Sequence, residues 1–194
     1  MVINNAGVVN GKPLLQLSET EIRRTLDVNL LSQFWMLQEF LPTMVERNRG
    51  MIVTIASTMG FFSAVGLSDY CASKHAVIGF HNAARLEMRK AKADIDFVLI
   101  CPNSIRTGMF SGMKQGLQWA IPILEPKDVA TATVKAIKRR SAMVILPAQL
   151  SPFAKIVKSD ILPLWLKDFS LNLGGASWGM DTFKGRIETS QTRL

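Results

Sequence analysis

The chain contains no run of about 18 uncharged apolar residues and no signal segment, so it is not expected to span a membrane. It has no Asn-x-Ser/Thr sequon and only two cysteines, Cys71 and Cys101. Both sit in apolar or small-residue runs, where a buried free thiol is the ordinary outcome. A reduced, cytosol-facing compartment is expected, and no metal. Also lacking is a basic stripe interleaved with aromatic residues, despite a net charge of +8. Cations alternate with acids in Glu19-Thr20-Glu21-Ile22-Arg23-Arg24 and in Arg85-Leu86-Glu87-Met88-Arg89-Lys90, the pattern of solvated helix faces. Charge therefore predicts no nucleic-acid partner; attraction to an anionic membrane surface ranks next.

What is present suits one domain of 194 residues with ample material for a core. Met1-Val2-Ile3 reads as the end of a buried strand. Ser18-Glu19-Thr20-Glu21 is a capping box that opens a helix, along which Ile22, Leu26, Leu30 and Phe34 recur at helical spacing until Gly50 closes the segment. Met51 to Ile55 and Ile95 to Cys101 are short, nearly continuous apolar runs, as in strands buried on both faces of a parallel sheet. Between them Tyr70 to Lys92 forms a long helix with Val77, Phe80, Ala84 and Met88 on one side. Pro126 suits the first position of a helix running to about Arg140, and Met143 to Leu146 forms a last strand. Strands alternating with helices predict an α/β fold with a doubly wound parallel sheet.

Tyr70 and Lys74 stand four apart, on one face of their helix. A nearby ammonium favours a phenolate, so the spacing predicts a tyrosine pKa drawn down from about 10 towards neutrality. A phenol so tuned exchanges a proton with a substrate oxygen near physiological pH. Such a pair by itself is more often a surface contact. Here it is joined by Cys71-Ala72-Ser73, by Ser57 after the run ending Ile55-Ala56, and by Asn4-Asn5-Ala6-Gly7 at the start.

This combination resembles the short-chain dehydrogenase/reductase family over nearly the whole chain. The resemblance implies a Rossmann-like fold and an NAD- or NADP-dependent oxidoreductase with Asn29, Ser57, Tyr70 and Lys74 as its catalytic residues. Tyr70 is then the acid/base and Ser57 the partner of the substrate oxygen. Lys74 lowers the tyrosine pKa and holds the nicotinamide ribose, and Asn29 supports a water-linked proton path to Lys74. Asn5, Ala6 and Gly7 match the family's Asn-Ala-Gly element beside the cofactor. Pro102-Asn103-Ser104-Ile105-Arg106-Thr107 resembles the Pro-Gly-x-Val-x-Thr loop over the nicotinamide, which makes Pro102, Asn103, Ile105 and Thr107 cofactor contacts. Asn103 replaces the usual glycine, and asparagine tolerates the left-handed backbone such a turn requires. Gly108-Met109-Phe110, which opens a soft apolar segment to Met113 suited to a lid, and the later Gly179-Met180-Asp181-Thr182-Phe183-Lys184-Gly185-Arg186 are similar to a subgroup of retinol and 17β-hydroxysteroid dehydrogenases. That similarity implies a retinoid, steroid or related lipid substrate against Met109 and Phe110, a homodimer, and residence at the endoplasmic reticulum or lipid droplets.

No glycine-rich turn of the form G-x-x-x-G-x-G follows a first strand. By the family pattern the chain opens on a fourth strand, with about 80–100 residues of cofactor-binding half expected before it and Val2-Ile3 left as a bare edge. The organisation expected is the C-terminal part of a catalytic domain over 1–149, an amphipathic extension over 150–186 and a tail over 187–194. In the extension Phe153, Ile156, Val157, Ile161, Leu162, Leu164, Trp165 and Leu166 alternate with Lys155, Lys158 and Lys167. That pattern is compatible with a membrane interface, with packing on the same domain, or with a partner subunit. The alternative to an enzyme is a truncated, inactive isoform acting through dimer or membrane contacts.

Overall fold

The computed structural model describes residues 1–158 and 162–185; Ile161, Arg186 and the 187–194 tail lie outside the described residues. Among these, β1 (Val2–Asn4), β2 (Gly50–Ile55), β3 (Ile95–Pro102) and β4 (Met143–Leu146) form a parallel sheet in the order β1-β2-β3-β4. The register sets Val2 against Ile52, Ile52 against Phe97, and Leu99 against Met143. The helices are α1 (Glu19–Leu26), α2 (Ser32–Glu46), α3 (Ser68–Lys90), α4 (Pro126–Arg139), α5 (Leu150–Lys158) and α6 (Leu164–Leu173).

The two central strands are buried on both faces, which is why their sequences are apolar without alternation. Val53, Val98 and Ile100 pack on Ala136 and Ile137 of α4. Ile52 and Phe97 pack with Leu37 of α2 and Ala84 of α3. Leu99 and Cys101 join Val77 and Ile78 of α3 and Leu150, Ala154 and Val157 of α5. Of the three environments open to the amphipathic extension, α5 thus takes its own domain's core. On α6, Leu164, Trp165 and Phe169 remain exposed. β1 is an edge strand, with Ile3 half exposed.

The capping box forms as expected: the Ser18 hydroxyl accepts from Glu21 N–H and the Glu21 carboxylate accepts from Ser18 N–H. The helix that follows departs from its apolar pattern. A π turn at Asp27–Leu31 separates α1 from α2. One extra residue in a turn rotates everything beyond it by about 100°. The buried line is then Thr25, Asn29, Gln33 and Leu37, whereas Ile22, Leu26 and Leu30 are half-buried and Phe34 is exposed. Three of the four buried side chains are polar, and each is held by a specific partner.

His81 of α3 is buried edge-on against Phe97, with Nδ1 2.9 Å from Thr54 Oγ1. Burial, then the charge of Arg85, pushes its pKa down to about 4. Between that value and the unfolded value of about 6.5 the unfolded chain binds a proton that the fold refuses. Stability is therefore complete above pH 6.5 or so and is lost as pH falls towards 4, by about 2–3 kcal/mol from this residue. Urea midpoints measured across that range should fall more steeply in the native chain than in His81→Leu. Parallel curves would acquit the histidine.

Candidate active site

The carboxyl ends of β1, β2 and β3 open into a cavity of about 670 Å³. Open α/β sheets place ligands there, because the strands all point one way and their following loops gather at one edge. Ser57, Tyr70, Lys74, Asn5 and Gly7 line it, together with Pro102, Asn103, Ile105, Thr107, Met109 and Phe110. Of the residues expected from the sequence, only Ala6 and Asn29 lie outside the lining.

Ser57 has an extended backbone (φ −170°, ψ 161°) and caps the short turn Thr58–Gly60, its Oγ accepting from Met59 N–H at 3.1 Å. Its hydroxyl donates to Pro102 O at 3.3 Å, which links the loops after β2 and β3. Next to it Thr58 Oγ1 donates to Asn103 Oδ1 at 2.9 Å. Asn103 is not among the left-handed residues, contrary to the reason expected for it. Its side chain is held instead by Thr58 and by Gln115 (3.4 Å), and its N–H donates to Leu146 O at 2.7 Å. Asparagine is used here for its side-chain amide. Ile105 bridges to Leu124, and Thr107 caps the turn Gly108–Phe110.

Tyr70 lies in the first turn of α3, buried, with the Phe110 ring edge-on at 5.7 Å. Lys74, one turn on, sets Nζ 5.6 Å from the centre of the tyrosine ring and donates to Ile55 O at 3.4 Å. The expected downward pull on the phenol does not occur in this geometry. Burial dominates and pushes the Tyr70 pKa up to about 12, against a hydrogen bond with Ser57 that lowers it. Burial likewise lowers Lys74 to about 8, with Cys101 opposing. A low-polarity site penalises phenolate and ammonium alike, and that penalty outweighs their separated attraction. The tyrosine at neutral pH is a protonated donor.

Asn29 stands behind the cavity, fully buried within the π turn. Its Oδ1 accepts from Val8 N–H at 2.8 Å, and its Nδ2 donates to Val8 O and to Ser73 Oγ, both at 3.0 Å. Ser73 in turn donates to Tyr70 O at 2.7 Å. The asparagine therefore clamps the loop after β1 to the first turns of the helix that carries Tyr70. Its own carbonyl accepts from Gln33 Nε2 at 2.9 Å.

A second clamp was not anticipated from the sequence. Asp69 Oδ2 accepts from Asn10 Nδ2 at 2.7 Å and from Thr25 Oγ1 at 2.8 Å, which locks α1 and the Asn10 loop onto the residue before Tyr70. Its signal was an acid in the first turn of a helix, a placement that the dipole favours anyway. Also missed was the cavity's far wall, where Leu150 and Phe153 of α5, Leu171 and Leu173 of α6, and Met180 add apolar surface. Polar side chains, Ser57, Lys74 and Asn103 among them, are thus set in a largely apolar chamber.

Rat and human retinol dehydrogenase 10 are each 42% identical to this chain over 166 residues, which is 84% of the chain and 48% of theirs. Zebrafish (Danio rerio) retinol dehydrogenase 10-B is 42% identical over 150 residues, 76% of this chain and 45% of its own. The chain therefore spans about half the length of the curated relatives it matches. Among solved structures, a 4-hydroxyisoleucine dehydrogenase complexed with NADH superposes with a TM-score of 0.62 at 28% identity, covering 74% of this chain and 66% of that one. Residues 1–118 match the short chain dehydrogenase family. Because that match runs from β1 through β3 and takes in Ser57, Tyr70 and Lys74 of the cavity lining, the chain belongs to the short-chain dehydrogenase family.

Proposed function

We propose that this chain carries the acid–base centre of an NAD- or NADP-dependent oxidoreductase that interconverts lipophilic alcohols with aldehydes or ketones. The observation that carries this reading is the convergence of Ser57, Tyr70 and Lys74 in the lining of one largely apolar cavity. The donor set suits the nicotinamide and its ribose: an ammonium, two hydroxyls, and the Pro102–Thr107 loop with its backbone groups. When bound, the dinucleotide supplies or receives the hydride. Ser57 holds the substrate oxygen, and Tyr70, protonated at neutral pH, donates to that oxygen in the reducing direction; the oxidising direction starts from its phenolate, which takes the alcohol proton. Lys74 holds the ribose and offsets charge as the phenol proton moves. Asn29 keeps the loop after β1 and the Tyr70 helix in register.

Phe62, Leu67, Met113, Leu117 and Phe153 in the lining favour a long apolar substrate, of the retinoid or steroid kind. The names of the retinol dehydrogenase relatives and of the NADH-bound structural neighbour support the same reading. The exposed Leu31, Trp35, Met36 and Phe40 of the π turn and α2 suit a homodimer interface. Leu164, Trp165 and Phe169 of α6 suit a membrane surface, which would place the protein at the cytosolic face of the endoplasmic reticulum or of lipid droplets. The test is to join the chain to a glycine-rich cofactor-binding half of the family, offer it all-trans-retinol and a panel of steroid and long-chain alcohols with either dinucleotide, and follow reduced nicotinamide. Saturable, alcohol-dependent reduction is the expected result. No turnover with any pairing, in either direction, overturns the reading.

A further inference from the structure

The Gly179–Gly185 segment has no part in the chemistry proposed above, yet it is among the most heavily tethered loops of the molecule. Lys114 N–H donates to Gly179 O at 2.8 Å, and Lys184 N–H donates to Ser111 O at 2.9 Å. Thr182 Oγ1 donates to Gly112 O at 2.6 Å. Just before it, Gly116 N–H donates to Gly174 O at 3.1 Å, while across the cavity Val65 N–H donates to Ala176 O at 2.7 Å. The chain from 174 to 184 is thus a strap joining the loop after β3 to the loop before α3. Met180, on this strap, packs into the apolar cluster of Leu67, Tyr70 and Cys71.

Phe183 is where the strap is seated. Gly11 has φ +67° and faces the Phe183 ring so closely that a Cβ at position 11 would overlap it. Any other residue there is therefore opposed by the backbone and by the ring. On its other side the Phe183 ring lies 6.4 Å from Phe110 at 63°, and Phe110 lies 5.7 Å from Tyr70 at 84°. Both are edge-to-face contacts, so the rings form a directed chain from the Gly11 notch to the phenol.

We propose that Phe183 is a positioning residue: seated in the Gly11 notch, it holds Phe110 against Tyr70 and so seals the phenol from water. A sealed phenol meets the substrate oxygen without bulk water competing for its proton. This inference rests on the reading of Tyr70 as the acid/base group, but its test needs neither cofactor nor substrate. Failure of one is therefore distinguishable from failure of the other.

Tyr70 is the chain's single tyrosine, so tyrosinate absorbance reports on it alone. Its pKa of about 12 predicts that a rapid jump to about pH 11 ionises roughly a tenth of it before any unfolding. In Phe183→Ala, water reaches the ring and most of the phenol should ionise in the same burst, an amplitude about five- to tenfold larger. Phe183→Leu, which refills the notch with apolar bulk, should return the burst to its native size. Asp181→Ala, an exposed change on the same strap, should leave it unaltered. Circular dichroism before the jump establishes that each variant is folded. A native-sized burst in folded Phe183→Ala overturns the proposal. Should that variant not fold, Gly11→Ala displaces the ring while retaining it, and a native-sized burst there overturns the proposal equally.

Discussion

Tyr70→Phe is expected to reduce turnover by about 10³-fold or more while leaving the fold and the cavity in place. The side chain is 5% exposed and its ring packs among Leu67, Cys71 and Phe110, so phenylalanine preserves every apolar contact and removes one oxygen. What is lost is the proton donor beside Ser57, and nothing else lining that end of the cavity replaces it. Lys74, with its pKa held at about 8, retains most of its proton at neutral pH but sits 5.6 Å from the tyrosine ring centre. The measurement is kcat for alcohol oxidation and carbonyl reduction, beside dinucleotide affinity. Retained affinity with lost kcat is the expected pair. Turnover within a few-fold of the native rate would remove Tyr70 from the mechanism.

The second large effect is on stability. Asn29→Ala should cost about 3 kcal/mol, because one buried and two part-buried hydrogen bonds disappear and their partners, Ser73 Oγ, Val8 N–H and Val8 C=O, are left behind. The half-buried Val8 N–H loses its acceptor and keeps part of its desolvation penalty. Chemical denaturation followed by circular dichroism reads the loss directly. A change below about 1 kcal/mol would mean that water replaces the amide and that the clamp is dispensable. The variant should also loosen the Tyr70 turn, because Ser73 connects Asn29 to the Tyr70 carbonyl.

The elements written in continuous apolar runs were legible at once. Met51–Ile55 and Ile95–Cys101 are strands buried on both faces, and such strands leave an unbroken hydrophobic record. The capping box was equally plain, because both of its bonds lie within four residues. The helix between β1 and β2 was less legible. Its apolar residues Ile22, Leu26, Leu30 and Phe34 recur at helical spacing, yet the buried line runs through Thr25, Asn29 and Gln33, across the π turn. Polar residues are unfavourable in a core unless paired, and two of these find partners at Asp69, Val8 and Ser73, far away in the chain. No local pattern records such pairings. Asn103 is a similar case, as its amide serves Thr58 rather than a left-handed turn.

The sequence by itself determined the order of strands and helices and the polar groups brought to the cavity, because spacing along a helix is local and burial of a strand is written in its composition. It placed Tyr70 and Lys74 on one face and Ser57 at a strand end, and the resemblance they carry was sufficient to name a family. Only the tertiary structure decided the state of those groups. The phenol is held at about 12, not drawn towards neutrality, because depth in the molecule sets the desolvation penalty and depth is a property of everything packed around it. That packing also made the C-terminal segment part of the cavity, with α5 in the core and Phe183 in the notch at Gly11.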